Sequence, residues 1–212
     1  MARRAVFTGL LFLVFATGYC QNKWVLRKDE DSIQVYTSHT ENSKFKSIKA
    51  VFTVHATLCQ LAYMVLDVGN YNRWQYNTVK PSLIKKISDH EIIYYSEVLA
   101  PWPVSDRDMV VHLNMVQDPE TKTLTIETYS IPNMVSEMKN IVRVPMSKAK
   151  WTVVPVGRAR LQVEYSIQID PGGSVPAWMV NMVCAEAPHE SFMKLREKIP
   201  HNKTVILPFM ID

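Results

Sequence analysis

The run from Asp170 to Ile199, DPGGSVPAWMVNMVCAEAPHESFMKLREKI, constrains the fold more than any other part of the chain. Asp170 ends an alternating segment. Pro171, Gly172 and Gly173 then supply turn chemistry, the two glycines being free to take positive φ. In a sequence with 6 glycines, two side by side mark a sharp change of direction. Ser174 is placed to cap a helix, and Pro176 to sit in its first turn, where a missing N–H is of no consequence. Val175, Trp178, Met179, Met182 and Val183 follow at the spacing of one helical face. The pattern predicts a helix of about 26 residues, roughly 39 Å long, kinked at Pro188. A face so rich in thioether and indole must lie on something apolar. Two readings fit: the helix packs on a solid sheet core, or it forms the lid of an apolar pocket.

Ahead of that helix the chain reads mainly as strands. Trp24 to Asp31 is polar and mixed, a lead-in. Ile33, Val35 and Thr37 alternate with polar neighbours, and Ile48, Ala50, Phe52 and Val54 share one face of Phe45–Val54. Thr57 caps a helix carrying Leu58, Leu61, Ala62, Val65 and Leu66 on one side, Gly69 closes it, and Tyr71–Tyr76 forms a second short helix. Strands follow at Leu83–Ser88, Glu91–Leu99, Asp108–Gln117, Lys122–Ser130, Trp151–Val156 and Arg160–Ile169, with a polar loop over Ile131–Asn140. The last is the clearest, with Leu161, Val163, Tyr165, Ile167 and Ile169 alternating against Arg160, Gln162, Glu164, Ser166 and Gln168, one face buried and one wet. Strands, two short helices, a long antiparallel series and one long helix describe an α+β domain, its curved sheet gripping the final helix.

The composition is that of a globular domain, 47% hydrophobic and 21% charged. The formal charge of +4 includes Arg3 and Arg4, and no basic block stands out, so nucleic acid is not a partner. Residues 1–20 read as an export signal: Arg3 and Arg4 form the charged start, Val6–Ala16 the apolar run, and Gly18 and Cys20 the small residues before a cut at Gln21. The apolar run is short for a bilayer span. Lipid attachment at Cys20 is the lesser reading, because bulky Tyr19 precedes it where a small residue is expected. The expected location is periplasmic or secreted. Cys59 and Cys184 then remain, on separate predicted helices, and are read as buried free thiols. No metal-ligand spacing is present and no cofactor is expected. The tail, 200–212, is apolar through Val205, Ile206, Leu207, Phe209, Met210 and Ile211. It packs back on the body or meets a partner or membrane.

Pro101-Trp102-Pro103-Val104-Ser105-Asp106-Arg107-Asp108 is the second informative stretch. Two prolines stiffen it, and Arg107 opens a strand whose same-face followers are Met109, Val111, Leu113 and Met115. An inward guanidinium there must be paired. Either Asp106, Asp108 or a distant carboxylate holds it in a salt bridge, or it recognises a ligand oxyanion. The six histidines are scattered, His112 lies on the opposite strand face from Arg107, and Ser105 lacks a nucleophile elbow, so an enzyme is not expected.

Taken together, Pro101–Asp108 and Asp170–Asn181 resemble the START family, the lipid-transfer domains related to steroidogenic acute regulatory protein, of a secreted, bacterial-type, single-domain kind. Members commonly carry P-[FW]-P-x-x-x-R-D followed by D-P-G-G-x-[IVP]-P-x-W-[LM]-x-N. The similarity spans roughly Trp24–Ile199, within a domain of residues 21–199. It implies a helix-grip fold, with a bent antiparallel sheet, two short helices after the second strand, and a C-terminal helix covering a tunnel for one hydrophobic molecule. Arg107 matches the arginine that contacts lipid phosphate in phospholipid-binding members. Two departures stand out: the aromatic residue those members place before the loop is Ala100 here, and the acidic–basic pair of sterol-binding members falls near Tyr94 and on Leu113. The implied function is non-covalent carriage of a lipid or sterol-like molecule by a monomer that touches membranes transiently. The alternatives are a cyclase- or hydrolase-like enzyme on the same fold, or a lipid-sensing interaction module. Expected ligand contacts are Tyr94, Ser96, Trp102, Arg107, Met109, Val111, Leu113, Tyr165, Trp178, Met179 and Met182.

Overall fold

The computed structural model describes residues 24–40, 43–201 and 203–212, with the side chains of Met182 and Val183 outside that description. The expected export signal, with Cys20, also lies outside the described residues. Three strands, β1 (Val25–Glu30), β2 (Ile33–Ser38) and β3 (Ser47–Val54), precede helix α1 (Leu58–Leu66) and a 3₁₀ turn at Val68–Arg73. Then come β4 (Thr78–Lys86), β5 (Glu91–Val98), β6 (Arg107–Gln117), β7 (Leu124–Ser130), the two-residue β8 (Val142–Arg143), β9 (Met146–Gly157) and β10 (Arg160–Asp170). Helices α2 (Ala177–Val183) and α3 (Glu186–Lys198) close the chain ahead of the tail. The strands form one curved sheet in the order β1–β2–β3–β10–β9–β7–β6–β5–β4, each adjacent pair antiparallel, with β8 added parallel to β6.

Period-two alternation determines which side of this sheet is dry. On β3, Ile48, Ala50, Phe52 and Val54 are buried while their neighbours are half-exposed. On β10, Leu161 and Val163 do the same. The inward residues meet α1 and α3 in one core. Phe192 of α3 stacks on Phe52 with ring centroids 4.4 Å apart and meets Trp151 and Tyr165 edge-on at 5.3 and 5.2 Å. Arg196 fastens the same helix from the rim. It donates to the carbonyls of Thr53 and Ser32, both at 2.9 Å, and of Asp31, with its guanidinium over the Phe52 ring.

Helix α1 is capped by a reciprocal box. Thr57 Oγ1 accepts from the Gln60 amide, and Gln60 Oε1 accepts from the Thr57 amide at 2.9 Å. The other end of the Gln60 side chain donates to the carbonyls of Pro200, His201 and Lys203, so this cap also anchors the tail. The tail packs back on the body: Met210 is buried, Val205, Leu207 and Phe209 lie against the core, and Gln117 pairs with the Ile211 backbone.

Several elements depart from the sequence expectation. The segment read as a lead-in is the edge strand β1, so the two short helices follow the third strand. The expected continuous terminal helix is two helices, broken at Cys184–Ala185. Pro188 explains where. A proline ring clashes with the carbonyl four residues earlier, here Cys184, and its missing N–H is harmless in a first turn. The break therefore falls before the proline, and Pro188 sits in the opening turn of α3. Pro176, not Ser174, occupies the N-cap of α2, and no side chain caps it. Asp67, not Gly69, ends α1.

Candidate functional site

Between the concave face and α3 lies a chamber of about 280 Å³, walled by strands β3–β10–β9–β7–β6–β5, the 3₁₀ turn and the first half of α3. That is near the lower end of small-molecule pockets, which run about 300–1,000 Å³. Its surface is aromatic and aliphatic, with Tyr71, Trp74, Tyr76, Tyr94, Trp151, Tyr165 and Phe192 supplying the rings. Of the expected contacts, Tyr94, Met109, Val111, Leu113 and Tyr165 line it. Strand parity places them there: Tyr94 pairs with Val111 across β5 and β6, and Tyr165 pairs with Trp151 across β10 and β9.

The remaining expected contacts stand elsewhere. Ser96 is buried on β5 opposite Met109 but lies off the wall. Met179 is half-buried on α2 and Trp178 is 65% exposed, because the break at Cys184–Ala185 leaves the lining to Ala187, Pro188, Ser191 and Phe192 of α3. Trp102, on the Ala100–Asp106 loop, is 93% exposed. The Met182 side chain falls outside the described residues. Trp74, Trp151 and Phe192 are wall residues that spacing did not single out, whereas Ile167 and Ile169 lie on the β10 face already read as buried.

Arg107 forms no salt bridge among the described residues. It is buried, yet Asp108 binds Arg143 and Asp106 accepts from the Ala100 amide, so neither neighbouring carboxylate pairs with it. Its guanidinium donates to the carbonyls of Ser105, Pro171 and Gly172, the latter two at 3.4 Å. Burial lowers its pKa, partly countered by Asp106. Arg107 is thus a latch between the β5–β6 loop and the turn that leads into α2. Gly172 suits that turn, with φ of 69° and no room for a side chain, since an added Cβ would lie 2.9 Å from the Arg143 carbonyl.

The buried ion pair of this region is Arg143–Asp108. Arg143 Nε and Nη2 donate to the two carboxylate oxygens at 2.7 and 3.0 Å, and further bonds reach Val135 and Ser136 carbonyls. Asp108 raises the Arg143 pKa through the hydrogen bond. The pair fastens the 131–144 loop over the outer face of β5 and β6, where Ile93, Tyr95 and Val110 make a small second core. Thirty-five residues separate the partners in sequence.

The polar groups on the chamber wall divide into satisfied and unsatisfied ones. Tyr71 donates to the Val65 carbonyl, Ser147 bonds Ser130 at 2.7 Å, and Ser191 bonds the Ala187 carbonyl and the Tyr76 amide. The hydroxyls of Tyr94 and Tyr165 have no partner among the described residues, and burial raises both phenol pKa values. Trp74 Nε1 is buried and unpartnered. His112 pairs with Glu91 at 2.7 Å on the outer face, away from the chamber. Cys59 and Cys184 are buried and free, their thiol pKa values raised by burial. The wall therefore has hydrogen-bond donors and a large apolar area, but no titratable acid, imidazole or thiol among the described residues.

Comparison with known proteins agrees with this geometry. A family model described as the START domain matches residues 18–197. An uncharacterized protein of Pseudomonas aeruginosa is 29% identical over 194 residues, covering 92% of this chain and 95% of its own. The crystal structure of the STAR-related lipid transfer protein of Xanthomonas axonopodis superposes with a TM-score of 0.77 at 29% identity, covering 83% of this chain and 98% of that one. The phosphatidylcholine transfer protein of Mus musculus is 25% identical over 165 residues, covering 74% of this chain and 75% of that protein.

Proposed function

Because the chain belongs to the START domain family, we propose that it binds one hydrophobic molecule in the chamber and carries it between membranes without altering it. The observation that carries this reading is the chamber itself, an aromatic-lined space lying between the sheet and α3. Apolar burial at about 25 cal/mol per Å² would hold the guest, and a few donors would orient it. Similarity to a STAR-related lipid transfer protein and to a phosphatidylcholine transfer protein supports a lipid as the guest.

The exposed indoles support transient contact with a membrane. Trp102 and Trp178 stand on the two segments that Arg107 latches together, and indole rings favour the interface between water and lipid. Helix α2 has no side-chain cap and no buried side chain among those described, which suits a cover that moves aside to admit the guest. A wall with no acid, imidazole or thiol among the described residues favours carriage over catalysis. The charged start and apolar run of residues 1–20 favour action in the periplasm or outside the cell.

The test is transfer of a fluorescent lipid between donor and acceptor vesicles. Wild-type protein is expected to accelerate transfer and return the lipid chemically intact. Ala187→Trp, which fills the chamber from α3, is expected to lose most of the acceleration while remaining folded. Transfer at the rate of buffer alone overturns the proposal, and a chemically altered lipid transfers it to the enzyme reading.

A further inference from the structure

The carrier reading leaves the chemistry of the guest open, and the inference below rests on that reading and narrows it. Among the described residues, every one that lines the chamber is uncharged. The buried cation at the head of the β6 wall strand, Arg107, is already engaged by three backbone carbonyls, and Lys148 and Lys150, which flank Ala149 on β9, are exposed on the opposite face of the sheet. A phosphate or carboxylate placed inside would be a buried charge with no partner, which is strongly unfavourable.

The same wall holds donors that lack acceptors. Tyr94 is only 7% exposed, lines the chamber, and its hydroxyl has no protein partner among the described residues. Tyr165, half-buried on β10, lines the same chamber, and its hydroxyl likewise has no partner among the described residues. Trp74, on the same wall, keeps a third donor buried and unpaired. Other wall hydroxyls, those of Tyr71, Thr78, Ser147 and Ser191, are bonded within the protein; those of Tyr76 and Thr128 are unpaired among the described residues, but they stand on half-exposed residues, whereas Tyr94 is buried. Buried polar groups are ordinarily satisfied, and exceptions facing a cavity point to what fills it.

We infer that the chamber selects an uncharged amphiphile, whose hydroxyl or carbonyl oxygen accepts hydrogen bonds from Tyr94 and Tyr165. Both phenols stay protonated well above neutral pH, since burial raises their pKa values, so they act as donors throughout the physiological range. The alkyl or ring portion lies along Met109, Val111, Leu113 and Ile167. Phospholipid headgroups are left outside.

The experiment uses delipidated full-length protein incubated with vesicles of phosphatidylcholine and phosphatidylglycerol that contain hexadecanol and hexadecane in equal amounts. Protein is recovered, extracted, and the four retained molecules are quantified. Hexadecanol is expected to exceed either phospholipid and hexadecane. The double substitution Tyr94→Phe/Tyr165→Phe is expected to lower hexadecanol retention about tenfold, the loss of one to two hydrogen bonds, with hexadecane retention unchanged. Preferential retention of either phospholipid overturns the inference and leaves the carrier reading standing. So does a double variant that keeps its hexadecanol, or that loses hexadecane equally. Wild-type protein retaining none of the four overturns both.

Discussion

Helices α2 and α3 continue one another in sequence, yet they are held in very different ways. Helix α3 inserts Phe192 and Leu195 into the core, and Arg196 fastens its outer edge to three carbonyls of the β1–β2 turn and β3. Helix α2 offers no buried side chain among those described, and its one hydrogen bond to the sheet side among the described residues runs from the Lys46 amide to Asn181 Oδ1 at 3.3 Å. The contrast teaches that the helix walling the chamber is firmly held while its neighbour α2, the cover of the proposed carrier, is lightly held. Pro188 separates the two, because its ring forbids a continuous helix through Cys184. On the proposed carrier reading, the rigid wall would keep the cavity open when empty and movement of α2 would let a guest pass.

The contrast can be broken most severely at Phe192. Phe192→Ala removes a ring that stacks on Phe52 and touches Trp151 and Tyr165. It is expected to destabilise the protein by about 3 kcal/mol, the low end of the range for such truncations because a void already borders the ring. Urea denaturation measures this, and a loss below about 1 kcal/mol would show that α3 is no firmer than α2. Arg107→Leu sharpens the comparison at the latch. Three carbonyls lose their donor, so a loss of about 1–3 kcal/mol is expected, together with faster release of a preloaded fluorescent lipid. Unchanged release would remove Arg107 from any part in holding the cover. The smallest stability effect belongs to Trp178→Ala, within about 0.5 kcal/mol because the ring is exposed. Vesicle transfer by this variant should nevertheless slow several-fold, and transfer at the wild-type rate would detach α2 from membrane contact.

Much of this architecture is legible in the residues. The alternation of β10 runs cleanly from Leu161 to Ile169, and it places Tyr165, Ile167 and Ile169 on the chamber wall. Thr57 announces α1 through the glutamine three residues on. Other features escape for physical reasons. Strand β1 sits at a sheet edge, where most of its residues face solvent and hydrophobic alternation is not required. The division of the last helix depends on a proline acting one turn upstream of itself. The Arg143–Asp108 pair, and the carbonyls that Arg107 finds on Pro171 and Gly172, join segments far apart in sequence. Spacing reports which face a residue occupies. It does not report which of two equally placed carboxylates an arginine will meet after folding, or that it will meet neither.

The account depends on the interior holding one guest. Native mass spectrometry of the protein purified from its own host, followed by organic extraction, tests that most directly. A single adduct of lipid-like mass, released by organic solvent and reduced by Ala187→Trp, is the expected result. A bare polypeptide mass under conditions that preserve non-covalent complexes, with nothing recovered in the extract, would contradict it.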